Sequence, residues 1–147
     1  MESRTVRKAV AYVVRNEQLL VFTHDDFPME ITGVQVPAGS IEDDESPADA
    51  VVREVAEETG LLARIVRPLG VGHYDMRPAK PEIHERHFFQ LEVLDSDVLS
   101  RWTWGESDPS DGGSDVRWTC WWMPMKDAHV LCAGFGALLG SISESRG

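Results

Sequence analysis

The sequence has few of the basic residues that bind nucleic-acid polymers. It contains 14 lysines and arginines against 25 aspartates and glutamates, and its formal net charge at pH 7 is -11. Neutralising the phosphates of DNA or RNA needs clustered basic side chains, so this balance argues against a nucleic-acid polymer as the main partner. A small phosphorylated ligand is still compatible with the charge, because a divalent cation bridges carboxylates to phosphates.

Cysteines and long apolar runs are also scarce. The two cysteines, Cys120 and Cys132, form no CxxC pair, so the sequence indicates no structural zinc site and favours buried, reduced thiols over a disulfide. No apolar run reaches the roughly 18 residues that span a bilayer, and the first ten residues lack the apolar region of a signal peptide. We therefore expect a soluble cytoplasmic protein with no membrane partner.

What the chain does contain is typical of one globular domain. Its 147 residues, 42% of them hydrophobic, predict a single domain over 1–147. Alternating or valine-rich segments predict strands, the first two of them joined as a hairpin, at 6–14, 18–23, 34–36, 61–73 (broken near Pro68 and Gly70), 87–93 and 117–125. The intervening 24–33, 74–86 and 95–116 are predicted as loops.

Two helices are predicted from capping residues and apolar spacing. Ser46 is a favourable N-cap, Pro47 suits the first helical position, and Gly60 is a typical C-terminal stop, which together predict a helix over 47–59. An apolar stripe predicts a final helix from Asp127, although three glycines at 134, 136 and 140 weaken it.

The first of these helices carries an unusual group of acidic side chains. Glu54, Glu57 and Glu58 are spaced i, i+3 and i+4, so they share one face, where like charges destabilise an isolated helix. Arg53 offsets only part of that repulsion. Spacing alone leaves two interpretations, a solvated acidic face or a site for a hard divalent cation.

The flanking residues extend this pattern into a longer motif. Residues 39–61 read GSIEDDESPADAVVREVAEETGL. This resembles the motif G-x5-E-x7-R-E-U-x-E-E-x-G-U of the Nudix hydrolases, in which U is a bulky aliphatic residue, and all nine specified positions match. The resemblance implies an α/β fold, an α/β/α sandwich with a mixed β-sheet between helices, over about residues 5–143.

The resemblance also implies a reaction and a metal site. Nudix hydrolases cleave a diphosphate linkage, commonly in a nucleoside diphosphate joined to another group, by metal-assisted attack of water on phosphorus. Carried over to this chain, Glu54, Glu57 and Glu58 are the expected ligands of Mg²⁺ or Mn²⁺, with the backbone carbonyl of Ala38 as a further ligand. Glu57 or Glu54 is also expected to help activate the water. A homodimer is a family-level expectation.

Three further positions of the motif are expected to support the carboxylates. The family pattern implies that Arg53 pairs with Glu45 and so fixes the acidic loop against the helix, a positioning role that metal sites need. Gly39 is expected to supply a backbone conformation that a side chain would hinder.

Residues outside the motif give weaker predictions about the substrate. Cations at 77, 80 and 86 are candidates for neutralising phosphate, although solvated or ion-paired side chains explain them too. Two tryptophans in the 95–116 segment are candidates for stacking on a base, although anchoring that segment to the core explains them equally well. Glu106 is preferred as an additional base among several acidic residues of the later loops, which include Glu82 and Glu85. The predicted substrate contacts are Arg77, Lys80, Arg86, Trp102, Trp104 and Glu106.

The sequence leaves the substrate and one alternative function open. Nucleotide sugars, ADP-ribose, dinucleoside polyphosphates, nucleoside triphosphates and non-nucleotide diphosphates all remain candidate small-molecule substrates. The alternative is a catalytically silent domain of the same fold that senses a ligand or binds a protein. Such domains often lose the acidic residues, and none is lost here.

Overall fold

A computed structural model describes residues 4–24, 33–95, 97–106, 116–131 and 134–142 of the chain. The elements within these ranges are, in chain order, β1 Arg4–Arg15, β2 Gln18–His24, β3 Ala38–Ser40, α1 Pro47–Thr59, β4 Ala63–Asp75, β5 Glu82–Val93, β6 Arg101–Glu106, β7 Val116–Pro124, and two 3₁₀ helices, Met125–Val130 and Leu139–Ser141. Within the described ranges, no helix is both long and apolar enough to cross a membrane.

The strands form one mixed sheet with β1 near its centre. The strand order is β4-β5-β1-β2-β7-β6, and β3 pairs with β1 beside that path. β1 and β5 are parallel, whereas the other pairs are antiparallel. Residues 9–13 of β1 are completely buried, which explains their continuous apolar run, because a strand covered on both faces does not alternate.

Helix α1 covers one face of the sheet and has the predicted bounds. The Ser46 hydroxyl accepts a hydrogen bond from the Asp49 N–H at 3.1 Å, and Gly60 ends the helix with φ at 77°. Val51 and Val55 are fully buried in the core cluster on this face, together with Leu91 of β5. Burying these valines leaves the acidic face of the helix turned toward the edge of the core.

The opposite face is covered by residues 125–131 and 134–142, and the prediction of a regular final helix from Asp127 is wrong for these residues. The described part of this segment forms the two 3₁₀ helices and a turn at 134–138, and its apolar side chains pack on Val10, Tyr12 and Phe88. Gly134 has φ at 74°, a left-handed conformation that interrupts a helix. The sheet therefore does lie between two layers, but the second layer is built from tight turns.

The loops also differ from the predicted ones. The proposed loop 74–86 is mostly strand: β4 runs to Asp75 and β5 starts at Glu82, so only the turn 76–81 remains. Charged residues at the start of β5 face partners on β1, as in the pair Arg4–Glu82, which makes a polar stretch compatible with a strand. Within 95–116, residues 101–106 form β6, and 107–115 lie outside the described residues.

The predicted breaks and short strands are confirmed only in part. The β4–β5 register shifts between Pro68 and Gly70, as predicted for this strand. The predicted strand at 34–36 is reduced to isolated bridges of Val34 and Gln35, and β3 follows it at Ala38–Ser40.

Candidate active site

Arg53 is the centre of the polar network on helix α1. Its Nε and Nη2 donate to the two carboxylate oxygens of Glu45, both at 2.8 Å. Nη1 donates to Glu54 at 2.8 Å and to Glu57 at 3.2 Å, and Nη2 also reaches the Ser40 carbonyl at 3.0 Å. All three guanidinium nitrogens are therefore engaged, and the fork shape of arginine suits this arrangement better than the single ammonium of lysine.

The pairing of Arg53 with Glu45 is thus present in the structure, as the family resemblance implies. The hydrogen bond from Arg53 lowers the pKa of Glu45 to about 2, and the same bond raises the pKa of Arg53. Both groups stay charged at neutral pH, so the acidic loop before α1 is held to the helix by a charge-assisted, two-point contact.

Glu54 is the most buried of the three helix carboxylates, because it packs directly on Gly39. Its side chain is 11% exposed, and a Cβ atom added at Gly39 would lie 2.1 Å from the Glu54 carboxyl carbon. Burial raises the pKa of Glu54, and Arg53 opposes that shift. Gly39 is therefore required for space at its Cα, whereas the predicted need for an unusual backbone conformation is not observed, since its φ is outside the left-handed region.

Glu58 is directed at strand β3. Its Oε1 accepts a hydrogen bond from the Ala38 N–H at 2.7 Å. The N–H and C=O of one strand residue lie on the same edge of the strand. The Ala38 carbonyl, predicted as a metal ligand, therefore lies on the strand edge that faces α1.

The chemistry of these groups fits a hard cation, although their side chains do not converge on one point. Among the described residues, no three His, Cys, Asp or Glu side chains are grouped so as to hold a metal ion. Arg53 Nη1 lies between Glu54 and Glu57 and supplies the positive charge there. Carboxylate and carbonyl oxygens are the donors that Mg²⁺ prefers, so the set suits the predicted metal, and the ligand assignment stays a prediction.

Three tryptophans from β6 and β7 cap the C-terminal end of α1. The indole N–H of Trp104 donates to the Glu57 carbonyl and that of Trp102 to the Thr59 carbonyl, both at 2.9 Å. Trp118 donates to the Glu58 carbonyl between them. The last carbonyls of a helix have no partner within it, so this indole cap satisfies the end of the helix that carries the predicted metal ligands.

The indole cap supports one of the two interpretations of Trp102 and Trp104. Their N–H groups anchor β6 to the helix, as the core-anchoring alternative expects. An N–H hydrogen bond does not occupy a ring face and Trp104 is 41% exposed, so stacking on a base stays a prediction. The sequence analysis did not predict the cap, although the spacing of the tryptophans indicates it. Trp102 and Trp104 are two residues apart on β6, and Trp118 is the cross-strand partner of Trp104. These positions place all three indoles on one face of a β-hairpin.

Removing one member of the indole cap tests its role in stability. We expect Trp102→Phe to lower the free energy of unfolding by about 1–2 kcal/mol, because the Thr59 carbonyl loses its donor. Trp121→Phe, on the same hairpin but stacked on Arg101 at 5.1 Å, is the control and should cost less than half as much. Urea unfolding followed by circular dichroism measures both; equal losses would contradict the cap.

The remaining predicted contacts lie in different surroundings. Arg77 is exposed and its guanidinium is paired with Asp75, with Nη2–Oδ2 at 2.6 Å, and Lys80 is exposed on the β4–β5 turn. Arg86 is buried instead of solvated, with 2% of its surface exposed. The side chain of Glu106 and residues 107–115 lie outside the described residues, so its predicted role stays a prediction.

Two other candidate bases are engaged in ion pairs. Glu82 contacts Arg4 and His84, and Glu85 contacts Arg7 and His87. Of the two predicted thiols, Cys120 is buried near the Glu58 carbonyl, and Cys132 lies outside the described residues.

Comparison with known proteins agrees with this geometry. The sequence profile of the NUDIX domain matches residues 5–137, which is most of the chain. The chain belongs to the Nudix family. The predicted fold class, a mixed sheet within an α/β/α sandwich, is confirmed by solved structures of similar fold.

One curated relative and two structures illustrate the likeness. The chain is 32% identical over 105 residues to the RNA pyrophosphohydrolase of Thioalkalivibrio sulfidiphilus (strain HL-EbGR7), a match that covers 63% of this Nudix chain and 59% of that relative. A MutT protein from Methanosarcina mazei Go1 superposes with a TM-score of 0.66 at 18% identity, covering 95% of this chain and 94% of the other. An ADP-ribose pyrophosphatase from Streptococcus suis 89-1591 superposes with a TM-score of 0.60 at 21% identity, covering 92% and 87%.

Proposed function

We propose that this Nudix protein is a pyrophosphohydrolase that cleaves a diphosphate linkage with Mg²⁺ or Mn²⁺, at a site built on helix α1. The single observation that carries the proposal is the buried Glu54 carboxylate, packed on Gly39 and bonded to Arg53. A structural helix gains nothing from a desolvated carboxylate beside two more acidic side chains. Perturbed carboxylates of this kind are typical of functional sites.

The roles of the residues follow from their positions. Glu54, Glu57 and Glu58, with the Ala38 carbonyl, would hold the cation, and Arg53 with Glu45 keeps the loop and the helix in register. When bound, the cation supplies charge neutralisation at the diphosphate and Lewis acidity toward the attacking water. Of the two candidate bases in the motif, Glu54 has a pKa raised by burial, which favours proton acceptance closer to neutral pH. Glu57 is the more accessible, with 47% of its side chain exposed.

The relatives suggest which substrates should be tested first. Their names include an RNA pyrophosphohydrolase, a UDP-X diphosphatase and an ADP-ribose pyrophosphatase. In RNA a pyrophosphate bond can only be terminal, because the chain itself is joined by phosphodiesters. The net charge of -11 disfavours extended contact with such a chain, so we give small diphosphates precedence.

A phosphate-release screen tests the proposal. The panel holds nucleotide sugars, ADP-ribose, dinucleoside polyphosphates, nucleoside triphosphates and a short RNA with a 5′-terminal polyphosphate, each with Mg²⁺, with Mn²⁺ and with EDTA. We expect cation-dependent release of a monophosphate or pyrophosphate from at least one substrate class. Binding of a nucleotide without turnover under every condition would instead support the catalytically silent alternative and overturn the proposal.

A further inference from the structure

A cavity lies at the C-terminal end of helix α1, between the helix, β6 and the segment that follows β5. Its volume is about 390 Å³, which is within the range of about 300–1,000 Å³ that is typical of small-molecule sites. None of the predicted metal ligands is among the described residues that line it. We call it the Trp104 pocket, and the residues that decide its chemistry are Leu61, Asp95, Asp97, Leu99, Trp102 and Trp104.

Trp104 gives the pocket a fixed aromatic wall. Its indole N–H donates to the Glu57 carbonyl at 2.9 Å. The far edge of its six-membered ring lies against Gly60, where an added Cβ atom would be 2.8 Å from the ring. The residue is nevertheless 41% exposed. A side chain that is already held in place loses little conformational freedom when a ligand binds, so the exposed part of this ring is available to stabilise one.

Exposed apolar side chains are concentrated around the pocket. Of the seven large hydrophobic residues that are exposed in the described part of the chain, four lie in the pocket or next to its lining residues: Leu62, Leu94, Leu99 and Trp104. Leu62 and Leu94 are neighbours in space, since the Leu94 N–H donates to the Leu62 carbonyl at 2.9 Å. Single exposed apolar residues need no explanation, whereas a group of them marks a binding surface.

The charge of the pocket is negative, and no cation of the described residues lines it. Neither Asp95 nor Asp97 has an ion pair with a described residue. Arg15 contacts the Val98 carbonyl at 3.5 Å, but its guanidinium is stacked on the Trp122 ring at 4.2 Å. The end of α1 adds the negative pole of the helix dipole, and its last turn contains no basic residue. A positively charged ligand is therefore favoured here.

Aromatic rings beside carboxylates suit an organic cation better than other occupants. Indole rings attract cations such as alkylated ammonium groups, and most strongly when the cation is desolvated. A hard metal ion is bound through oxygen ligands and keeps much of its water, so it gains nothing from apolar walls. A neutral base could stack on the same indoles, but it leaves both carboxylates without a partner. A second copy of a chain with a net charge of -11 would bring like charges together.

We propose that the Trp104 pocket binds a small organic cation of the alkylated ammonium class. The alkyl groups lie against the two indoles, and the charge lies near the two aspartates and the end of α1. This inference goes beyond the proposed hydrolase reaction and does not depend on it, because binding requires neither the predicted metal ligands nor turnover. The indole N–H of Trp104 is part of the pocket wall, so its NMR signal reports whether the pocket is occupied.

Titration with choline in EDTA tests the pocket without metal or catalysis. The control ligand is 3,3-dimethylbutan-1-ol, a neutral molecule of the same shape in which carbon replaces the nitrogen, and sodium chloride keeps the ionic strength constant. Binding is followed by the Trp104 indole N–H signal, which is assigned by its absence from the spectrum of Trp104→Phe. We expect choline to shift this signal to saturation and to bind about 10-fold more tightly than the alcohol, because only choline gains the cation–aromatic and carboxylate contacts.

Substitution of two aspartates locates the charge that binds choline. The double variant Asp95→Asn, Asp97→Asn keeps the size of both side chains and is expected to weaken choline binding by about 3- to 10-fold, while binding of the alcohol stays within about 2-fold. The double variant Asp43→Asn, Asp44→Asn is the matched control. It removes the same charge from two exposed aspartates of the loop before α1, and it should change choline binding less than 2-fold.

Trp104→Phe tests the aromatic wall, with binding measured by calorimetry because the NMR reporter is lost. Phenylalanine attracts cations less strongly than tryptophan, and its smaller ring fills less of the pocket. We expect choline binding to weaken at least 3-fold in a variant that circular dichroism shows to be folded. Trp121→Phe, on the same hairpin but stacked on Arg101, should change choline binding less than 2-fold.

Four results would overturn the proposal. They are the absence of saturable choline binding, equal affinity for choline and the alcohol, equal choline binding by wild type and the Asp95, Asp97 double variant, and displacement of choline by Mg²⁺ at equal ionic strength. Adenosine is titrated separately; if it shifts the Trp104 signal and binds more tightly than choline, the pocket stacks a base and the cation assignment is wrong. Absence of hydrolysis in the substrate screen would overturn only the proposed function, because choline binding is measured without turnover.

Discussion

Glu57→Gln is expected to lower the turnover of a diphosphate substrate by about 10²- to 10⁴-fold, the range found when an acid–base group or its equivalent is removed. The amide keeps the shape of the side chain but loses the negative charge that would bind a cation. Mn²⁺ affinity, measured by electron paramagnetic resonance, should fall in parallel. The folded state should be little affected, because 47% of the Glu57 side chain is exposed and its ion pair with Arg53 has an N–O distance of 3.2 Å.

Glu92→Gln provides the matched control for this variant. Glu92 is also a half-exposed glutamate, 43% exposed, and it is likewise paired with an arginine, Arg64. It lies on β5 away from the helix carboxylates, so its loss should leave turnover and Mn²⁺ affinity within about 2-fold of wild type. Equal activity of Glu57→Gln and Glu92→Gln would remove Glu57 from the proposed site.

The helix at the centre of the site is predictable because its determinants are local. Ser46, Pro47 and Gly60 set its ends, and the i, i+3, i+4 spacing puts the three glutamates on one face whatever the rest of the chain does. The bracing pair of Glu45 and Arg53 is predictable for a different reason. It belongs to a motif of fixed spacing, so recognising the motif supplies a contact that no local rule gives.

Residues that act across the sheet could not be predicted in the same way. The environment of Arg86 depends on β5 lying parallel to β1, and on residues 134–138 reaching over both. The tryptophans of the indole cap were visible in the sequence, but their partners are backbone carbonyls on another element. Every residue has a backbone carbonyl, so the sequence does not reveal which carbonyl will accept a hydrogen bond from an indole. From the sequence alone, tryptophans that cap a helix cannot be distinguished from tryptophans that pack in the core or stack on a ligand.

The failure of the predicted final helix has a related cause. The apolar stripe after Asp127 correctly predicts which side chains are buried, since Phe135, Leu138 and Leu139 pack on the sheet. The predicted helical conformation of the backbone was wrong because Gly134 packs closely against Tyr74. A Cβ atom at Gly134 would lie 2.6 Å from the Tyr74 ring. A tertiary contact of this segment therefore overrides the helical periodicity.

Arg53→Met is expected to lower both stability and activity. It leaves the largely buried carboxylate of Glu54 without its donor and frees the loop that Glu45 anchors. We expect the free energy of unfolding at pH 7 to fall by about 2 kcal/mol, below the usual cost of breaking a fully buried pair because Arg53 is partly exposed. Turnover should fall by about 10- to 100-fold, the usual effect of losing a group that orients metal ligands. Arg64→Met, which breaks an exposed pair, should cost less than about 1 kcal/mol.

The pH dependence of this stability difference identifies its origin. In the folded protein the hydrogen bond from Arg53 lowers the pKa of Glu45 from 4.5 to about 2. Between these values the unfolded chain binds more protons than the folded one, so the stabilisation is complete above pH 4.5 and is lost as pH falls toward 2. The part of the gap that comes from Glu45 should therefore be constant down to about pH 5 and narrow below it. Protonation of Glu54, whose pKa burial raises, narrows the gap in the same direction but starts at a higher pH, because a neutral buried acid no longer leaves an unpaired charge when Arg53 is absent. Urea titrations of both proteins between pH 7 and 3.5 measure the gap. If the difference in unfolding free energy between the two proteins is the same at pH 7 and at pH 3.5, Arg53 stabilises the fold through packing of its methylene groups. The charge network around Glu45 and Glu54 would then contribute little to stability.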